Sequence, residues 1–328
     1  MSRLRFAVVG SGWRAEFFVR MARLLPERFT CVGIVSRDAE RSAQVERAWG
    51  VPTVRAIADL PALAPELVVT ATPWPVTPVA VTELVGLGLP VLAETPPAPD
   101  ADGLRALWAA VGSSGLVQVA EHSPCMPAHQ ARLAVVRSGL IGEVTSVQVS
   151  STHLYHAVGL IRAVLGVGRG AVVVRSSRFT APLVDPMNRA GWTGDGTTKQ
   201  ASTILATLDL GGGRSGLYDF TDNQWHNPLR ANRITIRGSH GEIANDTVTR
   251  WVDERTITTS TFHRWQTGIE QNLDGWDTQH ISLDGQVLWR NRYEGARLAD
   301  DDVAVATLLD RCAAWLHDGG PEPYPLAD

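Results

Sequence analysis

Residues Arg5 to Val9 form a short apolar run that ends in Gly10-Ser11-Gly12, and a helical pattern from Arg14 to Leu25 comes at once, closed by Pro26. A strand, a glycine turn and a helix in immediate succession leave few architectures open. The first glycine permits a tight turn, the second lets the backbone approach a ligand, and Ala15 takes the third, close-packing position of G-x-G-x-x-G/A. The pattern reads as a dinucleotide site whose pyrophosphate sits on the positive end of the helix. Gly10, Ser11, Gly12, Trp13 and Arg14 are the first cofactor-binding candidates.

The alternation of strand and helix then repeats. An apolar run at Phe29 to Val35 precedes a charged helical stretch from Asp38 to Trp49, and Leu67-Val68-Val69-Thr70-Ala71 leads through Thr72-Pro73 into a helix near Thr77 to Leu87. A strand at Pro90 to Ala93, a helix near Asp102 to Ser113 and a strand at Leu116 to Ala120 complete the series. Strands alternating with helices at this spacing predict an α/β, doubly wound parallel sheet covered on both faces. The end of the second strand selects the cofactor. An Asp or Glu there accepts from both ribose hydroxyls of NAD, and a 2′-phosphate needs donors instead. Here Ser36-Arg37 follows Val35, a hydroxyl and a guanidinium, which favours NADP(H) over NAD(H); a solvated arginine at a polar strand end is the plain alternative.

The 328 residues, 44% hydrophobic and 20% charged, suit a globular chain of about two domains. With Lys+Arg 30 against Asp+Glu 34 and the arginines scattered, no basic field exists for phosphate backbones, so no nucleic acid is expected as a partner. No uncharged apolar run of membrane-spanning length occurs, and Met-Ser-Arg-Leu-Arg passes directly into FAVVGSG, so no membrane partner and a cytoplasmic location are expected. Cys31, Cys125 and Cys312 fit neither a disulfide framework nor a zinc spacing and read as buried apolar thiols. Lys199 is the only lysine.

FAVVGSGWRAEFF at the start, LVVTATPWPVTP at the fourth strand, LPVLAETPPAPD at the fifth, VRSGLIGEVTSVQV, YHAVGLIRAVLG and ITIRGSHGEI resemble, in order and spacing, the Gfo/Idh/MocA family, which includes glucose-fructose oxidoreductase and inositol dehydrogenases. The resemblance covers nearly the whole chain. It implies a nucleotide-binding Rossmann domain over residues 1-121, then over 122-328 an α/β domain for substrate binding and oligomerisation, built on a large, mostly antiparallel sheet. It also implies a homodimer or homotetramer through that sheet, with cofactor contacts from Thr72, Pro73, Trp74, Glu94, Thr95 and His122. Segments Val144 to Ser150, Gln200 to Leu210, Arg214 to Asp222, Arg233 to Arg237 and Thr256 to Phe262 are β-branched and turn-bounded, as such a sheet needs, and a final helix from Asp300 to His317 is expected to pack back on this layer.

The resemblance breaks at the chemistry. Members carry Glu-Lys-Pro after the fifth strand, with the lysine beside the nicotinamide; here the string is Glu94-Thr95-Pro96. Many also use an Asp and a His at the start of the second-domain helix. Aligned through Gly166, His156 is that histidine, and Thr152 and Gly159 stand where acids are usual. General acid–base help is worth roughly 10²–10⁴-fold, so it must be recovered elsewhere or the reaction differs. Candidates are His153 and Tyr155 beside His156, the strand-end His122, Lys199 in a glycine-rich loop, and Trp225 and His226, an aromatic face with polar tips. Each has a plainer role: helix capping for His122 and His153, a solvated charge for Lys199, packing for Trp225. The H-x-x-H of His153 and His156 lacks a local third ligand, so no metal is expected.

Three functions are compatible with these residues. The leading one is an NADP(H)-dependent oxidoreductase exchanging hydride with a small sugar, polyol or carbonyl substrate, with His156 as acid/base and Thr95 beside the nicotinamide. The others are a catalytically silent nucleotide- or sugar-binding regulator and a non-redox enzyme that uses its cofactor transiently.

Overall fold

The computed structural model describes residues 3–267, 277–293 and 295–328. In chain order the first elements are β1 (Leu4–Val9), α1 (Trp13–Leu24), β2 (Phe29–Val35), α2 (Ala39–Trp49), β3 (Thr53–Val54), β4 (Leu67–Thr70), α3 (Thr77–Gly86), β5 (Val91–Ala93), α4 (Ala101–Val111) and β6 (Val117–Val119). Then come α5 (Pro127–Arg137), β7 (Val144–Val149), α6 (Leu154–Leu165), β8 (Val173–Val184), the short β9 (Met187–Asn188) and β10 (Gly191–Trp192), β11 (Thr198–Asp209) and β12 (Ser215–Thr221). The remainder are β13 (Ile234–Gly238), β14 (Gly241–Ala244), β15 (Thr247–Asp253), β16 (Thr256–Thr261), β17 (His263–Thr267), β18 (Asp277–Leu283), β19 (Gln286–Arg290) and α7 (Asp300–Asp318). They form two compact units, one holding residues up to Met126 with Arg292–Asp328, the other Pro127–Thr267 with Thr278–Asn291.

The first unit is a six-stranded sheet in the order β3-β2-β1-β4-β5-β6, parallel throughout. Phe6, Ala7 and Val8 of β1 and Leu67, Val68 and Val69 of β4 are wholly buried, which is why these strands read as continuous apolar runs. The strand order reverses between β1 and β4, so the loops at their carboxyl ends form the crevice where ligands bind in such sheets. Helix α1 buries Ala15, Phe18 and Val19, an i, i+3, i+4 stripe, and Asp38 caps α2 by accepting from the Arg41 backbone N–H at 2.6 Å. The edge of β6 is covered by the chain's own tail: Val119 N donates to Tyr324 O at 2.7 Å, and the buried Gln118 side chain bonds Glu322 and the Tyr324 backbone. All three cysteines are buried here, as expected, and burial pushes the Cys31 thiol up to about 12.

The final helix departs from expectation. Expected with the second domain, α7 belongs to the first unit and lies against α1. Its buried face includes Val303, Ala306 and Leu309, and its acids pair with arginines of or just after α1: Arg20 with Asp302 at 3.2 Å and Arg28 with Asp310 at 3.2 Å. Tyr293 Oη also donates to Asp310, at 2.9 Å. Amphipathic periodicity shows that a helix has a face to bury; the partner is set by charges far away in sequence.

The second unit is an eight-stranded sheet, β16-β15-β14-β13-β7-β12-β11-β8, antiparallel except for the β7–β12 pair, with a smaller β17-β18-β19 sheet. Leu160, Ile161 and Val164 of α6 join Val147, Val149, Phe220 and Ile236 in its core. The turn from β11 to β12 is made by Gly211, Gly212 and Gly213, all at positive φ, where other residues are strained. Strand β8 escapes sequence reading because nearly all of it is exposed, so nothing enforces alternation, and as an edge strand it tolerates Pro182. Among the described residues no helix is long and apolar enough to cross a membrane.

Candidate functional site

The carboxyl ends of β1, β2 and β4 in the first unit enclose a cleft of about 770 Å³. Its floor is the glycine loop, Gly10, Ser11, Gly12 and Arg14; Ser36 and Arg37 enter from the end of β2, and Thr72 and Pro73 from the end of β4. Val76 just before α3, and Val79 and Ala80 within it, form an apolar wall with Ile57. Gly10 has φ +116°, and a Cβ on it would lie 2.4 Å from the carbonyl oxygen of Ala71. The loop therefore passes against β4 as closely as only glycine allows, and Gly12, at the N-cap of α1, leaves open space where a Cβ would project. Bare backbone at a helix N-terminus fits a pyrophosphate.

At the end of β2 three guanidiniums gather. Arg55 Nη1 donates to Ser36 O at 3.1 Å, to Asp38 O at 2.8 Å and to Ser42 Oγ, and Arg41 Nε donates to Ser11 O at 3.2 Å. Arg37 lies exposed beside them. Asp38, the first acid after β2 in sequence, has a carboxylate oxygen committed to capping α2. Arg55 was not legible in the sequence because β3, the strand it follows, is only two residues long; Arg41 read as one more charge on a surface helix.

The ends of β5 and β6 carry the other predicted polar groups of this unit. Arg14 Nε donates to Glu94 Oε1 at 2.7 Å, and Arg14 Nη2 lies 3.3 Å from His122 Nδ1. On its other side, His122 Nε2 is 3.8 Å from Asp301 Oδ1 on α7. Thr95 follows Glu94 directly, joined to Pro96 through a cis peptide. Trp13, half exposed and edge-on to Phe17 with ring centroids 4.6 Å apart, and the exposed Trp74 flank the cleft in sequence without lining it.

In the second unit the structure brings together the histidines at the start of α6. The His153 ring lies 5.0 Å from Tyr155, 5.0 Å from His156 and 4.9 Å from Trp225, centroid to centroid, and its Nε2 is 3.2 Å from Tyr155 Oη. Trp225 stacks on Phe220 at 5.1 Å, keeps 43% of its surface exposed, and has His226 edge-on at 6.0 Å. Leu154, between the two aromatic polar residues, sits at φ +37° with its N–H bonded to Tyr218 Oη at 3.1 Å. A leucine there is strained by about 1 kcal/mol or more, and surrounding contacts hold it. The result is a half-exposed aromatic platform rimmed by imidazoles and a phenol, chemistry that suits a sugar or polyol. Lys199 stands apart from it: on β11 its Nζ pairs with Asp195 at 3.2 Å. Hydrogen bonds from Thr197, helped by Lys199, hold that carboxyl down at about 2.

Residues 4–122 match the GFO_IDH_MocA model, an oxidoreductase family with an NAD-binding Rossmann fold. No curated protein matches the sequence. Among solved structures, an oxidoreductase from Agrobacterium radiobacter in complex with NAD+, L-tartaric acid and magnesium is 18% identical, with a TM-score of 0.65 over 99% of this chain and 92% of that one. A myo-inositol dehydrogenase from Corynebacterium glutamicum is 16% identical at TM-score 0.63, covering 99% and 92%. The WlbA dehydrogenase from Bordetella pertussis, in complex with NADH and UDP-GlcNAcA, is 18% identical at 0.62, covering 98% and 89%. At these identities the likeness is one of fold.

Proposed function

We propose that the protein is an NADP(H)-dependent oxidoreductase of the Gfo/Idh/MocA type acting on a small sugar, polyol or carbonyl compound, a reading supported by the match of residues 4–122 to that family's NAD-binding model. The observation that carries the cofactor choice is the end of β2, where Ser36, Arg37 and Arg55 line the cleft and the first acid after the strand, Asp38, caps α2; the acid among the lining residues, Glu83, comes from α3. Gly10, Ser11 and Gly12 hold the pyrophosphate, and the apolar wall of α3 with Ile57 takes the adenine.

The nicotinamide, when bound, supplies hydride exchange with a substrate carbon. His156 takes the hydroxyl proton as the alcohol becomes a carbonyl, and returns it in the reverse direction, so atoms and charge balance. Thr95 relays a hydrogen bond at the end of β5, and His122 serves the same end of the cofactor. Trp225 offers its exposed face to the substrate ring, with His153, Tyr155 and His226 bonding its hydroxyls. Lys199, on β11 and tied to Asp195, is left out of this set.

Isothermal titration with NADP+ and NAD+ tests the cofactor choice. Charge-assisted contacts to a phosphate predict a preference for NADP+ of about 10-fold or more, reduced in Arg37→Gln and Arg55→Gln. Equal or tighter binding of NAD+ by the wild type sinks it.

The large sheet supports a homodimer or homotetramer. Val173 and Phe179 of β8, Leu205 of β11 and Leu217 of β12 share one face of the sheet and are each between 39% and 56% exposed, a concentration of apolar surface unusual for a monomer. Sedimentation velocity at micromolar concentration is expected to show a dimer or tetramer that Phe179→Glu weakens; a monomeric wild type contradicts the assignment.

A further inference from the structure

Arg14 belongs to the glycine loop by sequence, yet its side chain reaches across the sheet ends. Its guanidinium carbon lies 5.0 Å from the Phe17 ring centroid and 5.4 Å from that of Phe18, which support it from below. Its Nε bonds Glu94 after β5 and its Nη2 meets His122 after β6. The pair is shielded, the Arg14 and Glu94 side chains being 20% and 13% exposed. A planar guanidinium so placed presents its N–H donors in a fixed fork at the strand ends.

The contact also orients His122. A guanidinium N–H only donates, so Nδ1 must accept, and the ring proton then lies on Nε2, facing Asp301 at 3.8 Å. The Ala120 carbonyl, 3.4 Å from the same Nδ1, favours the opposite tautomer; the charge-assisted contact is both shorter and stronger.

Position says what this array serves. The adenosine half of a dinucleotide lies on the β2 side of the switch point, and the nicotinamide half on the side of β4, β5 and β6. Resting on the proposed nucleotide site, we infer that Arg14 is the positioning residue of the nicotinamide half. It fixes Glu94 and His122 at the strand ends and places there a guanidinium, paired with Glu94, beside the neutral Thr95. The only lysine of the chain is engaged with Asp195 in the other unit.

The test compares two ligands on the full-length chain: NADP+, and 2′-phospho-ADP-ribose, which keeps every phosphate and lacks the nicotinamide. Arg14→Gln is expected to weaken NADP+ about 10-fold or more and the fragment less than about 2-fold, Arg14→Lys to recover part of the loss, and Glu94→Gln to reproduce it. The double variant Arg14→Gln with Glu94→Gln should bind NADP+ no worse than either single one, since both changes dismantle one array. Equal loss for the two ligands overturns the inference and makes Arg14 a phosphate contact; no loss for either makes it a structural pair. Should Arg14→Gln fail to fold, Arg14→Lys and Glu94→Gln carry the same comparison. A wild type that binds neither ligand defeats the nucleotide reading itself, an outcome distinct from failure of the Arg14 assignment alone.

Discussion

Gly10→Val is expected to lower NADP+ affinity by at least about 100-fold and to destabilise the first unit by about 2 kcal/mol or more. Two separate costs combine. At φ +116° an L-residue pays a backbone penalty of order 1–3 kcal/mol. Independently, the first side-chain atom would sit 2.4 Å from the Ala71 oxygen and 3.0 Å from its carbonyl carbon. Those are main-chain atoms just beyond β4, and Ala71 is itself held by its N–H bond to Val9 O at 2.8 Å, so the loop must give way. Moving the loop moves Ser11 and Gly12, which line the cleft with it. Gly12→Ala separates fold from function: at this glycine a Cβ meets nothing within 4 Å and φ is −84°, so the chain folds normally. If a pyrophosphate lies against that backbone, Gly12→Ala loses NADP+ affinity at an unchanged unfolding temperature. Calorimetric titration and thermal unfolding of the two variants read both effects, and wild-type affinity in Gly10→Val would exclude this loop as the phosphate cradle.

How far the sequence reveals this site depends on how local the determinants are. The glycine turn, the N-cap of α2 and the apolar central strands are written within a few residues of one another, and periodicity finds them. Arg55 is not so written: it follows a strand of two residues, and reaches the cleft only because β3 pairs with β2 beyond Ile34. The partner of α7 is equally remote, being fixed by ion pairs 282 residues apart in sequence. The spacing of His153 and His156 puts them on one face, and the structure does bring their rings together. What spacing could not supply was Trp225, some 70 positions on, or the strained Leu154 anchored on Tyr218. The contrast between Lys199 and Arg14 is sharper still. A count of lysines points to Lys199 as the missing cation, whereas the charge that touches Glu94 and His122 is an arginine inside the glycine motif, at a position the motif leaves unspecified.

His156→Gln should reduce kcat by about 10²- to 10⁴-fold and leave NADP+ affinity within about 2-fold of wild type. The range is that of general acid–base catalysis, and glutamine keeps hydrogen-bonding capacity while giving up the ability to exchange a proton. Volume matters for a clean result: the His156 ring packs at 4.5 Å from Tyr155 and 5.0 Å from His153, and an alanine would loosen both. Affinity for the cofactor is a control because the nucleotide cleft belongs wholly to the first unit and His156 to the second. Tyr155→Phe gives the companion measurement. It removes the hydroxyl held 3.2 Å from His153 Nε2 and, as a substrate-positioning change, should raise KM more than it lowers kcat. A kcat in His156→Gln within about 3-fold of wild type would move the proton-transfer role off this histidine, and His122, already oriented by Arg14, would be the next to test. A wild type that binds NADP+ yet turns over no sugar, inosose or aldehyde leads elsewhere. The Arg14–Glu94–His122 array would then hold a nucleotide for recognition, as a silent regulator requires, and the neutral Thr95 would mark chemistry given up instead of chemistry reassigned.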